Sequence, residues 1–319
     1  MQTRGFYDYG LMLYMAFTEK RQAITVPVEC VDIAQAVCQK IGWNDTQVKG
    51  ADVPVKPFES TADNKIMVAL SGGLDSAYLM HRLIEQGYDV TALHVAGINK
   101  GQATEEAKAA REAATKAGAH YRQAAFKPPH NTFPDNPFKN QLILSIMLEA
   151  GARDGICKYA LGSDWTTPLN DAVVGFTITD SIEVNRGFVD GIRAKGQKCE
   201  LVFIDDDVKK QGRIEHLYRK GALTTVSSCV SPHRFRTHLH NSNEQKYGVS
   251  LMPGRCGSCY KCAMEYLLME DAGLVDVNRG YMEHCWDILA TAKTSHRPDL
   301  FAKKLPTAER MKNLREYGS

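Results

Sequence analysis

Segments typical of strands alternate with segments typical of helices from Lys65 onward, and this alternation limits the fold more than any other feature. KIMVAL (65–70) is a short apolar run of the kind found in buried strands, and SAYLMHRLIEQG (76–87) has helical spacing and ends at a glycine. YDVTALHV (88–95) predicts a second strand, and the alanine-rich ATEEAKAAREAATKA (103–117) a second helix. The pattern predicts an α/β fold with a doubly wound parallel sheet, covered by helices on both faces.

The alternation continues to about residue 221. Further strands are predicted at HYRQAAF (120–126), CKYALGS (157–163) and ELVFIDDD (200–207), and further helices at QLILSIMLEAGARDG (141–155), 180–195 and KKQGRIEHLYRKG (209–221). Ligands of such sheets bind beyond the carboxyl ends of the strands. We therefore expect the loops at 71–76, 94–102 and 162–171 to share one cleft. The first sixty residues break the rhythm, with helices expected near 7–18 and 31–41.

Composition is that of an ordinary globular protein, with 44% hydrophobic and 24% charged residues. The formal net charge of +2 gives no reason to expect nucleic-acid binding. No apolar run reaches the 18 residues of a membrane span, and MQTRGFYDYG lacks the features of a signal peptide. We expect a cytoplasmic protein.

The glycine-rich stretch after the first strand predicts a phosphate site. Glycines let the backbone approach an anion closely, and the start of the following helix directs free amides and the positive end of its dipole at the same anion. Asp75 could cap the helix or hold a Mg²⁺ ion that bridges phosphate oxygens. A tight turn with a serine cap is the simpler alternative. The candidate phosphate-binding residues are Ser71, Gly72, Gly73, Leu74, Asp75 and Ser76.

Three of the nine cysteines are clustered. Two residues separate Cys256 from Cys259 and Cys259 from Cys262, and Cys229 upstream can complete a tetrahedral Zn²⁺ site. His233 or His238 could replace Cys229 as the fourth ligand, and three unrelated buried cysteines are the remaining alternative.

SGGLDS resembles the pyrophosphate-binding loop of the PP-loop ATPases and differs from the Walker loop, which this chain lacks. The resemblance implies an enzyme that uses ATP and Mg²⁺, cleaves ATP between its α and β phosphates, and adenylates a carbonyl or carboxylate oxygen. A nitrogen or sulfur nucleophile then displaces AMP.

Together with the cysteine pattern, the chain resembles 7-cyano-7-deazaguanine synthases over roughly residues 64–265. This implies an ATP-dependent carbon–nitrogen ligase, AMP-forming or its ADP-forming equivalent, acting in queuosine or 7-deazaguanine nucleic-acid modification. Such an enzyme converts 7-carboxy-7-deazaguanine and ammonia to the amide and then the nitrile, with a structural zinc. Lys139 stands where the family has an arginine, and Lys210 matches a family lysine that would neutralise phosphate charge. Dimers are common in that family, so a homodimer is one expectation.

The remaining candidates lie on loops. Asp164 and Asp171 follow a predicted strand and could bind the edge of a guanine-like base, or be solvated loop acids. The implied organisation is an N-terminal extension or cap (1–60), a PP-loop ATPase domain (61–225) and a zinc-binding, C-terminal helical region (226–319).

Three departures from the family leave the acceptor open. HVAGINKGQ (94–102) lacks the family's aspartate, tyrosine and histidine, and the first sixty residues have no counterpart. An insertion after Cys229 carries a basic run that could be a lid over ATP, a nucleic-acid contact or a solvated loop, comprising His233, Arg234, Arg236, His238 and His240. A synthase-like enzyme of phage DNA modification or antiviral defence, with another 7-deazapurine or a macromolecule as acceptor, is one alternative. A non-catalytic zinc protein that binds nucleic acid is the other, and the intact SGGLDS loop argues against it.

Overall fold

A computed structural model describes most of the 319-residue chain. The described residues are 5–60, 63–97, 103–126, 136–162, 168–172, 178–203, 208–226, 228–229, 231, 233–291, 301–302 and 305–317, with the backbone alone at 103–105, 233–234 and 317. The described helices are α1 (Phe6–Ala16), α2 (Val31–Lys40), α3 (Leu74–Glu85), α4 (Ala103–Ala117), α5 (Lys139–Gly151), α6 (Ile182–Ala194), α7 (Lys210–Arg219), α8 (His233–Tyr247), α9 (Tyr260–Asp271), α10 (Arg279–Thr291) and α11 (Thr307–Tyr317). The described strands are β1 (Ala23–Pro27), β2 (Gln47–Ala51), β3 (Lys65–Ala69), β4 (Asp89–Ala96), β5 (His120–Ala125), β6 (Lys158–Leu161) and β7 (Glu200–Leu201).

The chain divides into two compact units. The first comprises Met1–Leu70, Leu79–Asn99 and Ala119–Asp206, and the second comprises Ser71–Tyr78, Lys100–Gly118 and Asp207–Ser319. The first sixty residues, predicted to be an extension or cap, belong to the same unit as the sheet.

The sheet of the first unit has five parallel strands in the order β5-β4-β3-β6-β7. The chain runs outward from β3 through β4 and β5, then returns to the other side of β3 with β6 and β7. This reversal of direction defines a topological switch point, where α/β sheets bind their ligands. The predicted α/β class with a parallel sheet is confirmed.

Most predicted elements are present, and three differ. The predicted strand at 200–207 is limited to Glu200–Leu201, although Val202 still donates its N–H to the Tyr159 carbonyl at 2.9 Å. Residues 204–207 lie outside the described part of the chain. β1 and β2 form a separate parallel pair that we did not predict. Its strands are five residues long, and QVKGA carries no alternating apolar pattern. The third difference, the basic run after Cys229, concerns the functional site.

Helix α5 forms the centre of the first core. Leu142, Leu144, Met147 and Leu148 are fully buried among residues of the sheet and of α1 and α6. α1 lies close to α5 because Gly10 has no side chain. A Cβ atom at Gly10 would approach the Ser145 Cβ to 2.5 Å and the Gln141 carbonyl oxygen to 3.2 Å.

We therefore predict that Gly10→Ala destabilises the protein. The added methyl forces α1 away from α5, and such overpacking costs about 2 kcal/mol, enough to lower the Tm by several degrees. Gly187→Ala in α6 is the matched control, because the nearest atom to its added methyl is Ile33 Cβ at 3.4 Å. This control should leave the Tm unchanged or slightly raised, since alanine favours helix. Equal Tm values for both variants in thermal unfolding would contradict the packing argument.

The second unit has its own apolar core. Helix α9 lies at its centre, with Leu267, Leu268 and Met269 buried against α7, α10 and α11. Among the described residues, no helix is both long and apolar enough to cross a membrane.

Candidate functional site

The glycine-rich loop joins β3 directly to the start of α3. The helix begins at Leu74, two residues earlier than predicted, so Leu74, Asp75 and Ser76 form its first turn. Gly72 has a φ of +83°, a left-handed conformation that favours glycine. The loop therefore leads into a helix N-terminus, the arrangement that binds phosphate groups.

Serine hydroxyls hold the loop in shape. Ser71 donates its N–H to the Ser76 hydroxyl at 3.2 Å, and the two serine hydroxyls are 3.0 Å apart. Gly73 donates its N–H to Ser71 Oγ at 3.2 Å, and Ser76 Oγ donates to the Gly73 carbonyl at 3.2 Å. The loop conformation is thus defined by its own hydrogen bonds.

Asp75 brings two cationic side chains of α7 to the loop. Its Oδ1 accepts a hydrogen bond from Arg213 Nη1 at 3.1 Å, and its Oδ2 lies 3.4 Å from Lys210 Nζ. Lys210 and Arg213 lie three residues apart on one face of α7. The carboxylate therefore holds two positive charges beside the helix N-terminus, where a phosphate would bind.

These cations also fix the charge of Asp75. Burial opposes ionisation, but the positive charges of Lys210 and Arg213 outweigh it and hold the Asp75 pKa below its usual range. A lowered carboxyl pKa stabilises the fold above the pKa of the unfolded chain, and this contribution is lost as pH falls through the lower folded value. Asp75 is thus ionised at neutral pH.

We predict that Gly72→Ala weakens nucleotide binding about tenfold, because the close contact of the added methyl with α4 would distort the loop, and local strain of this kind costs about 1–3 kcal/mol. The added Cβ would lie 2.9 Å from the Glu106 carbonyl oxygen and 3.1 Å from Ala109 Cβ. Gly118→Ala is the matched control, since Gly118 has a similar φ of +76° but nothing within 4 Å of the added atom. Titration with a fluorescent ATP analogue measures both affinities. Equal weakening in both variants would show that close contact at Gly72 has no role.

The four predicted cysteine ligands come together in the second unit. The sulfur atoms of Cys229, Cys256, Cys259 and Cys262 all lie within 4.8 Å of one another. The Cys256–Cys262 and Cys229–Cys259 sulfur pairs are each 4.0 Å apart. A tetrahedral Zn²⁺ with bonds of about 2.3 Å separates its sulfurs by about 3.8 Å. The cluster fits a single zinc ion, whereas an iron–sulfur cluster lying between the four sulfurs would hold them farther apart.

The four thiols of the cluster differ in pKa. The pKa of Cys229 lies well below the usual thiol value, because Cys256, Cys259 and Cys262 hydrogen-bond to its sulfur. The pKa of Cys256 is lowered to about 6: its hydrogen bond with Cys229 opposes this, but those with Cys259 and Cys262 prevail. The pKa values of Cys259 and Cys262 are raised, first of all by their hydrogen bonds with Cys229. Metal binding would replace the remaining protons.

Helix α8 is hydrogen-bonded to the segments that carry Cys229 and Cys256, which together with Cys259 and Cys262 we call the cysteine loop. The secondary structure of this helix differs from our prediction. The basic run was expected to lie on a loop, but it forms the first half of α8. Its roles as a lid over ATP or a nucleic-acid contact stay predictions. Arg236 is 6% exposed and donates to the carbonyls of Cys229 and Ser231 at 3.3 and 3.2 Å. Asn243 donates to the Cys256 carbonyl at 2.9 Å, and His240 Nδ1 lies 2.8 Å from the Arg255 carbonyl oxygen. We did not predict this helix from the sequence because the basic run has no apolar periodicity.

Of the two predicted alternative ligands, His238 is not among the described residues of the cluster. His238 is exposed, and the side chains of His233 and Arg234 lie outside the described residues.

A buried ion pair spans the cysteine loop. Arg255, which precedes Cys256, pairs with Glu265, which follows Cys262 by three residues on α9. Their side chains are 0% and 1% exposed. Each charge therefore depends on the other, because a buried charge without its partner is strongly destabilising.

The predicted substrate residues belong to the first unit. Lys139 is the first residue of α5 and is half-buried, and Asp171 is exposed in a turn where its N–H bonds the Pro168 carbonyl at 3.0 Å. Asp164 lies outside the described residues, as do parts of the loops at 94–102 and 162–171 that were expected to share a cleft. Substrate binding by these residues stays a prediction.

Two residues at the loop were missed by sequence reasoning. Arg213 could have been found, because it lies three residues after Lys210 in a predicted helix. Ser228 accepts a hydrogen bond from the Leu74 N–H at 3.1 Å across 154 positions of sequence, and no local signal predicts that contact.

The fold is an α/β fold with a parallel sheet, and the part that carries the glycine-rich loop matches a HUP-domain family profile. Residues 64–141, well under half of the chain, match the family profile described as a tRNA methyl transferase HUP domain. No curated protein matches the chain. Among solved structures, a U34-tRNA thiolase NcsA from Methanococcus maripaludis, determined with its 4Fe-4S cluster, shares 16% identity. The match covers 81% of this chain and 80% of the thiolase, with a TM-score of 0.32, and at that score it supports no inference about this chain.

Proposed function

We propose that this protein is an ATP-dependent carbon–nitrogen ligase that converts 7-carboxy-7-deazaguanine to its amide and then to the nitrile 7-cyano-7-deazaguanine. The proposal joins the sequence resemblance to one structural observation. In a single compact unit, the SGGLDS loop meets two cations held by Asp75, and the four-cysteine cluster lies beside it.

The loop suits the release of pyrophosphate. The helix N-terminus offers amide donors to phosphate oxygens, and Lys210 and Arg213 neutralise the negative charge that develops as the bond between the α and β phosphates breaks. Asp75 keeps both cations in place before ATP arrives. Preorganised charges of this kind stabilise a transition state without having to rearrange during the reaction.

The reaction proceeds in two activations at this loop. A carboxylate oxygen of the acid attacks the α phosphate and pyrophosphate leaves, so that an acyl adenylate forms. Ammonia then attacks the acyl carbon, AMP leaves with the oxygen, and one proton is released to give the amide. A second ATP adenylates the amide oxygen with release of pyrophosphate, and loss of AMP and both amide protons gives the nitrile. The overall balance is two ATP consumed for one nitrile formed.

The four thiolates fill the coordination sphere of zinc, which leaves no open position for a substrate. Zinc in this proposal has a structural role. Mg²⁺ enters with ATP, bound to its phosphate oxygens.

We further propose a small-molecule acceptor in preference to a nucleic acid. The burial of Arg236 supports this, because its guanidinium is bonded to carbonyls of the cysteine loop and does not face a polyanion. The near-neutral net charge of +2 supports it as well.

Incubation with ATP, Mg²⁺, ammonium and 7-carboxy-7-deazaguanine, followed by mass spectrometry and nucleotide analysis, tests the proposal. We expect the nitrile and two AMP for each nitrile formed, with neither product when the acid is omitted. An amide that accumulates without nitrile would limit the enzyme to the first activation. ATP cleavage without either product would refute this acceptor and favour another 7-deazapurine or a macromolecule, as in phage DNA modification or antiviral defence.

A further inference from the structure

Ser228 connects the cysteine cluster to the SGGLDS loop (residues 71–76). Its backbone continues directly into Cys229, and its hydroxyl accepts the N–H of Leu74, the first residue of α3. A Cβ atom built on Gly73 would lie 3.7 Å from the same hydroxyl. One serine side chain therefore lies against two successive residues of the loop.

The other end of the cluster also acts on the loop. Lys261 lies between Cys259 and Cys262, in the first turn of α9. Its positive charge adds to those of Lys210 and Arg213 in lowering the pKa of Asp75 against the effect of burial. This electrostatic effect accompanies the contact of Ser228, whose hydroxyl is bonded to the loop directly.

We propose that the four-cysteine centre positions Ser228 for phosphate binding, so that the metal and the nucleotide bind with positive linkage. This rests on the nucleotide binding of the proposed function and adds a positioning role for the metal centre. A serine hydroxyl accepts and donates at once, so Ser228 can keep its bond from Leu74 while donating to a phosphate oxygen.

The linkage is reciprocal by thermodynamic necessity. If metal at the cysteines raises the affinity for nucleotide, bound nucleotide must raise the affinity for metal by the same factor. Coupling between sites is typically worth between about 5-fold and 150-fold. We expect about tenfold, because one hydrogen bond carries the connection.

The experiment uses the zinc-loaded full-length chain and α,β-methylene-ATP with Mg²⁺, which binds without being cleaved. Calorimetry gives the nucleotide Kd, and transfer of zinc to a coloured chelator gives the rate of metal release. In the wild type, saturating nucleotide should slow zinc release about tenfold. Ser228→Ala should retain one zinc per chain, bind nucleotide about tenfold more weakly, and lose this protection. Ser228→Thr, which keeps the hydroxyl, should restore both.

Two control variants separate positioning from general damage. Thr225→Ala removes a hydroxyl that donates to the Ala222 carbonyl at 2.8 Å in the same segment, and should behave as wild type. Lys246→Gln, which changes a charge at an exposed position of α8, should also leave both measurements unchanged.

The outcomes distinguish this inference from the proposed function. Nucleotide binding that does not slow zinc release in the wild type overturns the linkage alone. Equal binding and equal protection in wild type and Ser228→Ala overturn the role of Ser228. No nucleotide binding by the wild type overturns both proposals. Linkage in a protein that makes no nitrile supports the inference and rejects only the proposed acceptor.

Discussion

Cys256→Ser should lose bound zinc and lower the Tm by on the order of 10 °C or more. Cys256 is fully buried, and its sulfur accepts hydrogen bonds from Ser231 Oγ at 3.0 Å and from the Ser258 N–H at 3.3 Å. A hydroxyl in its place is a poor zinc ligand. Because a metal that binds only the folded state contributes its binding free energy to folding, the loss of a ligand removes much of that contribution. Zinc content by mass spectrometry and thermal unfolding measure the two effects.

Cys285→Ala is the matched control for this substitution. Cys285 is 1% exposed in the same core, and its burial raises the thiol pKa to about 12, so that it stays a neutral apolar side chain. The variant should keep one zinc per chain and lose only modest stability. Full zinc occupancy in Cys256→Ser would show that the cluster is not the metal site. Full occupancy in Cys229→Ser would instead place the fourth ligand elsewhere, with His233 the first residue to test.

Asp75→Ala should reduce the formation of AMP and pyrophosphate by about 100-fold or more, the usual effect of removing a preorganised charge from an active site. Without the carboxylate, Lys210 and Arg213 lose the partner that holds them at the loop, and they repel each other. The loop hydrogen bonds among Ser71, Gly73 and Ser76 do not involve the Asp75 side chain, so the fold should persist. Radiolabelled ATP with thin-layer chromatography measures the rate, and circular dichroism checks the fold.

Asp271→Ala serves as the control, because it removes an ion pair with Arg315 in the same unit but away from the loop. Its rate should equal that of the wild type. Normal ATP cleavage by Asp75→Ala would mean that Asp75 handles neither phosphate nor metal. Asp75→Asn adds a finer comparison, since the amide oxygen can still accept from Arg213 while the negative charge is gone.

The fold was largely predictable because its signals are local. Strand β3, helix α5 and the glycines that end helices can each be predicted from a pattern within ten to fifteen residues of sequence. The strands β1 and β2 lack such a signal, since QVKGA is mostly polar and pairs with a segment more than twenty residues away. Their pairing depends on tertiary contacts that no short window contains.

The site divides in the same way. SGGLDS and the cysteine spacing are local patterns, and the structure gives both the geometry expected of them. The contact from Ser228 to Leu74 joins distant segments, as does the bond from Asn243 to the Cys256 carbonyl. The sequence pattern did not predict that the basic run is helical. Helix prediction relies on the spacing of buried apolar residues, whereas α8 buries polar side chains such as Arg236.

The buried pair of Arg255 and Glu265 has a consequence for how this protein changes over evolutionary time. Loss of either residue leaves one charge stranded beside the cysteine loop, whereas joint replacement by two apolar residues removes both charges together. Replacing the two residues one at a time therefore produces a poorly stable protein after the first substitution. Replacing both together avoids that state. Among relatives that share the cysteine spacing, we expect the two positions to covary, either both charged or both apolar. Such covariation would identify this branch of sequences without reference to the SGGLDS loop.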